Sequence, residues 1–241
     1  MITEHLSPNF GSRKNELKPD ILLLHYTDMV NLDAVLERLS DPDAAVGAHY
    51  LIAEDGRVFR LVDEEMRAWH AGVAFWKGER DINSCSIGIE LMNPGHSHGY
   101  RAFPKPQIKA LIELGSEICG RWNIPASRVL GHSDVAPGRK FDPGHLFPWQ
   151  QLAREGLGLF PIADRTNQVS ETDLPQALSE IGYEVSAENS QDPMTRAAWH
   201  AFQRHWCGEE LGAPPSEFSL GMLSAVRSAM TAQGSSSTDS T

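Results

Sequence analysis

Along the first half of the chain, apolar positions fall into short runs and spaced stripes that predict different elements. Residues 21–24 (ILLL) form an unbroken apolar run, the pattern of a strand inside a sheet. Residues 49–53 and 58–62 flank Glu54-Asp55-Gly56-Arg57, whose Asp-Gly pair is a hairpin-turn signal. Residues 86–92 read as a fourth strand, stopped by Asn93-Pro94-Gly95. Between these runs the period changes. Leucines and Val35 recur at helical spacing over 31–39, with Asp33 near the start. The longest helix is expected over 107–122, where Ile108, Leu111, Ile112, Gly115, Ile118 and Cys119 return every three or four residues, and Pro125 closes it. A short helix is expected over 149–155. Strands interleaved with helices predict an α/β domain with a mixed central β-sheet flanked by helices.

Past residue 155 the pattern shifts. Residues 156–170, with glycines, a proline and polar side chains, read as a linker, and only helical stripes follow. The first covers 174–181. The second covers 193–206, with Trp199, Phe202 and Trp206 on one face, and the third 220–230, with Leu223, Val226 and Met230 aligned. The ending GSSSTDST is too polar to bury and reads as disordered. The expected organisation is a chemical domain over 1–163, a small C-terminal three-helix domain over 164–234 and a tail over 235–241. On that organisation the chemical domain should fold without the helices.

The 241 residues, 41% hydrophobic and 22% charged, suffice for one sizeable core and a small second one. The net charge of −11, with no Lys/Arg-rich run, argues against a nucleic-acid groove, and any anionic ligand would need cations gathered locally. No stretch approaches the roughly 20 apolar residues of a membrane span. The opening MITEHLSPNFGSRKNELKPD lacks the apolar run of a secretory signal. The expected location is therefore cytoplasmic, the alternative being a periplasmic or exported protein trimmed from a longer chain or using a non-classical route. Cys85, Cys119 and Cys207 are odd in number and far apart, which fits reduced thiols rather than a disulfide framework or a zinc knuckle.

Chemistry concentrates in GHSDVAPGRKFDPG, residues 131–144, and in His25 at the end of the first apolar run, LLLHYT. Imidazole and carboxylate are ligands that zinc takes in catalytic sites, and strand ends are where a rigid sheet presents such groups at one mouth. Spacing alone leaves a second reading open. Two histidines so far apart could be hydrogen-bonded core residues, and Asp28, Asp134 and Asp142 could be turn formers. No HExxH is present.

Five segments in order carry a resemblance: LLLHYT (22–27), GAHYLIAEDGRVFRLVDE (47–64), RAWHAG (67–72), INSCSIGIELMN (82–93) and GHSDVAPGRKFDPG. Together they resemble the type 2 N-acetylmuramoyl-L-alanine amidases, which share a fold with the peptidoglycan recognition proteins. The resemblance implies one zinc ion held by His25, His132 and Asp142. It implies Glu90 as general base and Lys140 as the group that meets charge on the substrate oxygen. It follows the bacterial branch, because Asp142 stands where phage members carry cysteine and Ala48 where they carry tyrosine. His70, Trp69 and Asn83 are candidates for substrate contact. For His70 a loop-capping role, and for Trp69 a place in the core, remain open. His49 reads as a packing or hydrogen-bonding residue, and His145 is a rival to Asp142.

The implied partner is peptidoglycan or its muropeptide fragments, cleaved between muramic acid and L-alanine. The segment AAWHAFQRHW (197–206) resembles a small helical peptidoglycan-binding domain, with a structural appendage as the alternative. Two rival functions are muropeptide recognition without cleavage and zinc-dependent cleavage within the stem peptide. The missing signal favours recycled anhydro-muropeptides as substrate, whereas the C-terminal helices favour polymeric wall.

Overall fold

The computed structural model describes residues 2–164, 166–186 and 192–235. The chain opens with β1 (Ile2–Glu4) and β2 (Phe10–Ser12), in a segment too polar to show a strand period. There follow β3 (Ile21–Tyr26), α1 (Leu32–Ser40), β4 (Tyr50–Ile52) and β5 (Val58–Arg60), where patterning places them. Then come β6 (Met66–Ala68), the single-turn α2 (Ile82–Cys85) and β7 (Ser86–Leu91). The domain continues with α3 (Lys105–Trp122), β8 (Val129–Gly131), the single-turn α4 (His132–Val135) and α5 (Trp149–Arg154). Three helices end the chain, α6 (Leu174–Ile181), α7 (Pro193–Trp206) and α8 (Glu217–Ser235).

Local chemistry explains several boundaries. Asn31 caps α1 by accepting from the Ala34 backbone N–H at 3.0 Å. α3 stops at Asn123 in the left-handed region, two residues ahead of Pro125. Six strands form one sheet in the order β1-β5-β4-β7-β3-β8, and β2 pairs with β6 separately. The pairs β4–β7, β7–β3 and β3–β8 are parallel, and β4–β5 is the antiparallel hairpin around Asp55-Gly56. The sheet is mixed, as the pattern predicts.

Both faces of the parallel centre are covered, which is why residues 21–24 show no polar alternation. On one face Leu22, Leu24, Ile87 and Ile89 pack against Ile108, Leu111 and Ile118 of α3. On the other face Ile21, Leu23 and Leu130 share one core with Trp76 and with Leu178, Phe202 and Leu223 of the C-terminal helices. The sheet and the helices therefore do not have separate cores. Residues 156–164 and 166–170 are not a loose tether either. Leu157 and Val169 are buried, and Trp206 Nε1 donates to the Leu159 carbonyl at 3.1 Å. Apolar positions set among glycines hide this packing in the sequence. Trp199, Phe202 and Trp206 all face the core rather than solvent. Ser235 belongs to α8, and the rest of the expected tail lies outside the described residues. Among the described residues no helix is long and apolar enough to cross a membrane.

Candidate active site

Strand alternation puts His25 on the sheet face of Ile21 and Leu23, at the carboxyl end of β3. In the parallel register His25 lies beside Glu90, near the end of β7. On the opposite flank β8 ends at Gly131, so His132, the first residue of α4, emerges at the same edge. The loop after α4 returns Asp142 to them. The carboxyl ends of three adjacent parallel strands thus converge on one mouth, the usual place for a site in such sheets.

Three ligand atoms meet there. His25 Nδ1 lies 2.9 Å from His132 Nδ1 and 3.1 Å from Asp142 Oδ2, and His132 Nδ1 lies 3.0 Å from the same oxygen. All three residues are buried. The surrounding hydrogen bonds decide where the protons are. The Ser86 hydroxyl donates to the Ile82 carbonyl, so its oxygen is left to accept from His70 Nε2 at 3.3 Å. His70 Nδ1 then accepts from His25 Nε2 at 3.0 Å. His132 Nε2 donates to the Ala71 carbonyl at 2.9 Å. In their neutral tautomers both Nδ1 atoms therefore turn lone pairs toward a carboxylate oxygen, with no proton between them. Burial, and next the nearby His132, push His25 down to about 4 and keep its ring neutral. Three convergent lone pairs suit a cation, and among the described residues this is the one His/Cys/Asp/Glu cluster that could hold a metal ion.

The cluster lies in a cleft of 360 Å³, which Glu90, Lys140, His70 and Trp69 also line. Glu90 Oε2 is buried without a hydrogen-bond partner. Burial first and Asp142 second raise the Glu90 carboxyl to about 8, with Lys140 opposing. Arg38 and Arg139 join Lys140 along the walls, gathering three cations in a strongly acidic chain. Phe141, 50% exposed, lines the same cleft beneath the Arg204 guanidinium, 4.7 Å from the ring centroid.

Other expected residues fall elsewhere or take different parts. Asn83, a candidate for substrate contact, is buried outside the cleft lining. Its Oδ1 accepts from the His70 and Ala71 backbone at 3.0 and 2.8 Å, so this carbonyl oxygen clamps the segment that holds both metal-cluster histidines. His49 is buried and bonded to Gly88 N and the Met66 carbonyl, as its strand position suggests. His145 stands apart from the cluster. Burial pushes the Cys85 thiol up to about 12, and all three cysteines are free. The part played by Ser86 and Gly88 was not legible in the sequence. They make room for the His70 ring, whose Cγ would lie 2.5 Å from a Cβ at Gly88. The signal was the Ser-x-Gly-x-Glu alternation on β7.

Fold and site together define an α/β protein with a mixed central sheet and a His-His-Asp cluster suited to a metal ion. The family profile described as N-acetylmuramoyl-L-alanine amidase matches residues 15–145. The N-acetylmuramoyl-L-alanine amidase AmiD of Escherichia coli K12 is 37% identical over 208 residues, 77% of this chain and 74% of AmiD. The 1,6-anhydro-N-acetylmuramyl-L-alanine amidase AmpD of Enterobacter cloacae is 33% identical over 61% of this chain and 85% of its own. Among solved structures, E. coli AmiD in complex with anhydro-N-acetylmuramic acid-L-Ala-D-γ-Glu-L-Lys superposes with a TM-score of 0.77 at 32% identity, covering 89% of this chain and 91% of AmiD. AmpDH3 of Pseudomonas aeruginosa gives 0.81 at 30% identity, covering 93% and 95%. The chain belongs to the N-acetylmuramoyl-L-alanine amidase family, and it is an enzyme of that class.

Proposed function

We propose that the cleft binds zinc through His25, His132 and Asp142 and hydrolyses the amide between N-acetylmuramic, or anhydromuramic, acid and the L-alanine of peptidoglycan stem peptides. The observation that carries this reading is the convergence of three lone pairs beside the partnerless Oε2 of Glu90. Zinc in a two-imidazole, one-carboxylate site supplies Lewis acidity toward a carbonyl and brings the pKa of water to about 7. Glu90 takes the proton of the attacking water and later returns it to the departing alanine nitrogen. Lys140 donates to the carbonyl oxygen as negative charge develops, a contribution of about 2.7–4 kcal/mol for a donor of this kind. Water and amide become a muramyl carboxylate and a free amine.

The stem peptide carries carboxylates, which Arg38 and Arg139 are placed to meet. Phe141 and Trp69 offer apolar walls for the sugar end. In this reading residues 1–163 carry the chemistry and 164–234 form the helical appendage. The test is Glu90→Gln, which keeps shape but cannot take a proton at neutral pH. Elemental analysis should show unchanged zinc, while release of stem peptide, followed by mass spectrometry of digested muropeptides, falls by roughly 10²–10⁴-fold. Normal turnover would remove Glu90 from the mechanism. Running the same assay on intact sacculi and on purified anhydro-muropeptides distinguishes polymer from recycled fragments.

A further inference from the structure

We propose that the C-terminal helices belong to the apparatus that positions the metal ligands, with Tyr183 and His205 acting as positioning residues through Asp134. The proposal rests on the reading of His132 and Asp142 as zinc ligands. It begins with α4, one turn long and too short to be stable by itself. His132 is its first residue, and the Ser133 N–H donates to the Asp142 backbone carbonyl at 2.9 Å. A tilt of α4 therefore moves two of the three ligands at once.

Asp134 is what holds α4. It is buried, and its two oxygens accept three hydrogen bonds. Oδ2 takes the Gly131 N–H at 2.8 Å and His205 Nδ1 at 2.8 Å, and Oδ1 takes the Tyr183 hydroxyl at 2.9 Å. Two of the three donors come from beyond α6. Both are held rigidly. The His205 ring lies stacked between Trp149 and Trp206, 3.7 Å from each by centroid. Tyr183 meets Trp76 edge-on at 5.1 Å. A carboxylate buried this deeply depends on its donors, and losing one drives it to reorient or to recruit water. The Gly131 amide bonded to the same carboxylate lies directly before His132, so a shift there reaches the ligand through one residue of backbone. A module that only binds the wall has no need of two buried donors behind the metal-ligand turn.

The test uses the full chain loaded with zinc. Tyr183→Phe removes one hydroxyl and keeps the ring. His205→Phe keeps the stacked ring and removes the Nδ1 donor, and His205→Asn returns a donor to that place. Zinc affinity is read by chelator competition, together with the melting temperature and kcat at saturating zinc. Tyr183→Phe and His205→Phe should each weaken zinc by about tenfold, the low end for groups that orient ligands indirectly. His205→Asn should recover most of the His205→Phe loss. At saturating zinc kcat should fall while KM holds. Affinities within about twofold of wild type in both variants, with only the melting temperature lowered, would overturn the proposal. Should His205→Phe not fold, Tyr183→Phe decides alone. Wild-type chain that binds no zinc would overturn the proposed function itself, and this inference with it.

Discussion

Glu90 carries an unbalanced carboxylate, and the imbalance has a measurable sign. Its Oε2 has no partner, and burial followed by the charge of Asp142 raises the group to about 8, with Lys140 opposing. In the unfolded chain a glutamate titrates at about 4.3. A value raised by folding contributes stability that is fully present below the unfolded pKa and is lost as pH rises through the folded one. Metal-free Glu90→Gln should therefore melt close to wild type at about pH 4 and above it at about pH 9. Melting curves in excess chelator read this directly, and a gap that fails to widen with pH would contradict the assigned burial. Asn83 makes the opposite case, a polar side chain that supports the site without lining it. Asn83→Ala strips two backbone N–H groups, of His70 and Ala71, of their shared acceptor. It should cost about 1–3 kcal/mol in denaturant unfolding. The KM of the folded remainder should stay unchanged, whereas a substrate contact would raise it.

At the scale of elements, β7 shows what alternation reveals and where it stops. Ser86, Gly88 and Glu90 share a face, and Ile87, Ile89 and Leu91 go to the α3 core, as period two requires. Alternation cannot say which ring fills the space that the two small residues leave, because His70 comes from a loop distant in sequence. The long strands, α1, α3, α6 and α7 were legible because apolar period and length agree in them. β1, β2 and β6 were not, since three-residue edge strands carry too few positions to show a period. α2 and α4 are single turns too short to show a period; α4 is held by a local cap, the Gly131 N–H to Asp134, and by tertiary bonds to Asp134 from Tyr183 and His205. Gly88→Ala tests the element directly. Its Cβ would meet the His70 ring at 2.5 Å, displacing the group that accepts from His25 Nε2. Zinc affinity should drop about 10–100-fold by chelator competition. An unchanged affinity would show that His25 does not depend on His70.

The whole molecule differs from its sequence pattern in one respect, the independence of its two ends. The change of period past residue 155 marks the helices correctly, but a stripe on a helix does not reveal which partner it packs against. Here the partner is the sheet. Ile21, Leu23, Trp76, Leu130 and Val135 on the chemical side share a core with Leu178, Phe202, Leu223 and Val226. Removing residues 168–241 would uncover that sheet face and strip Asp134 of Tyr183 and His205. Five such side chains, each worth roughly 1.5–3 kcal/mol when fully buried, lose about 4–8 kcal/mol if only half of each is re-exposed. That is comparable with the whole stability of a domain, about 5–15 kcal/mol. The truncated chain should therefore lose its cooperative thermal transition or become insoluble, and its zinc should dissociate to a competing chelator far more readily than that of the full chain. A separable wall-binding module predicts the contrary, a truncated domain that melts within a few degrees of the parent and keeps its metal. Calorimetry of the two proteins, each with and without zinc, discriminates between them, because a shared core lowers the metal-free melting temperature as well as the metal-bound one.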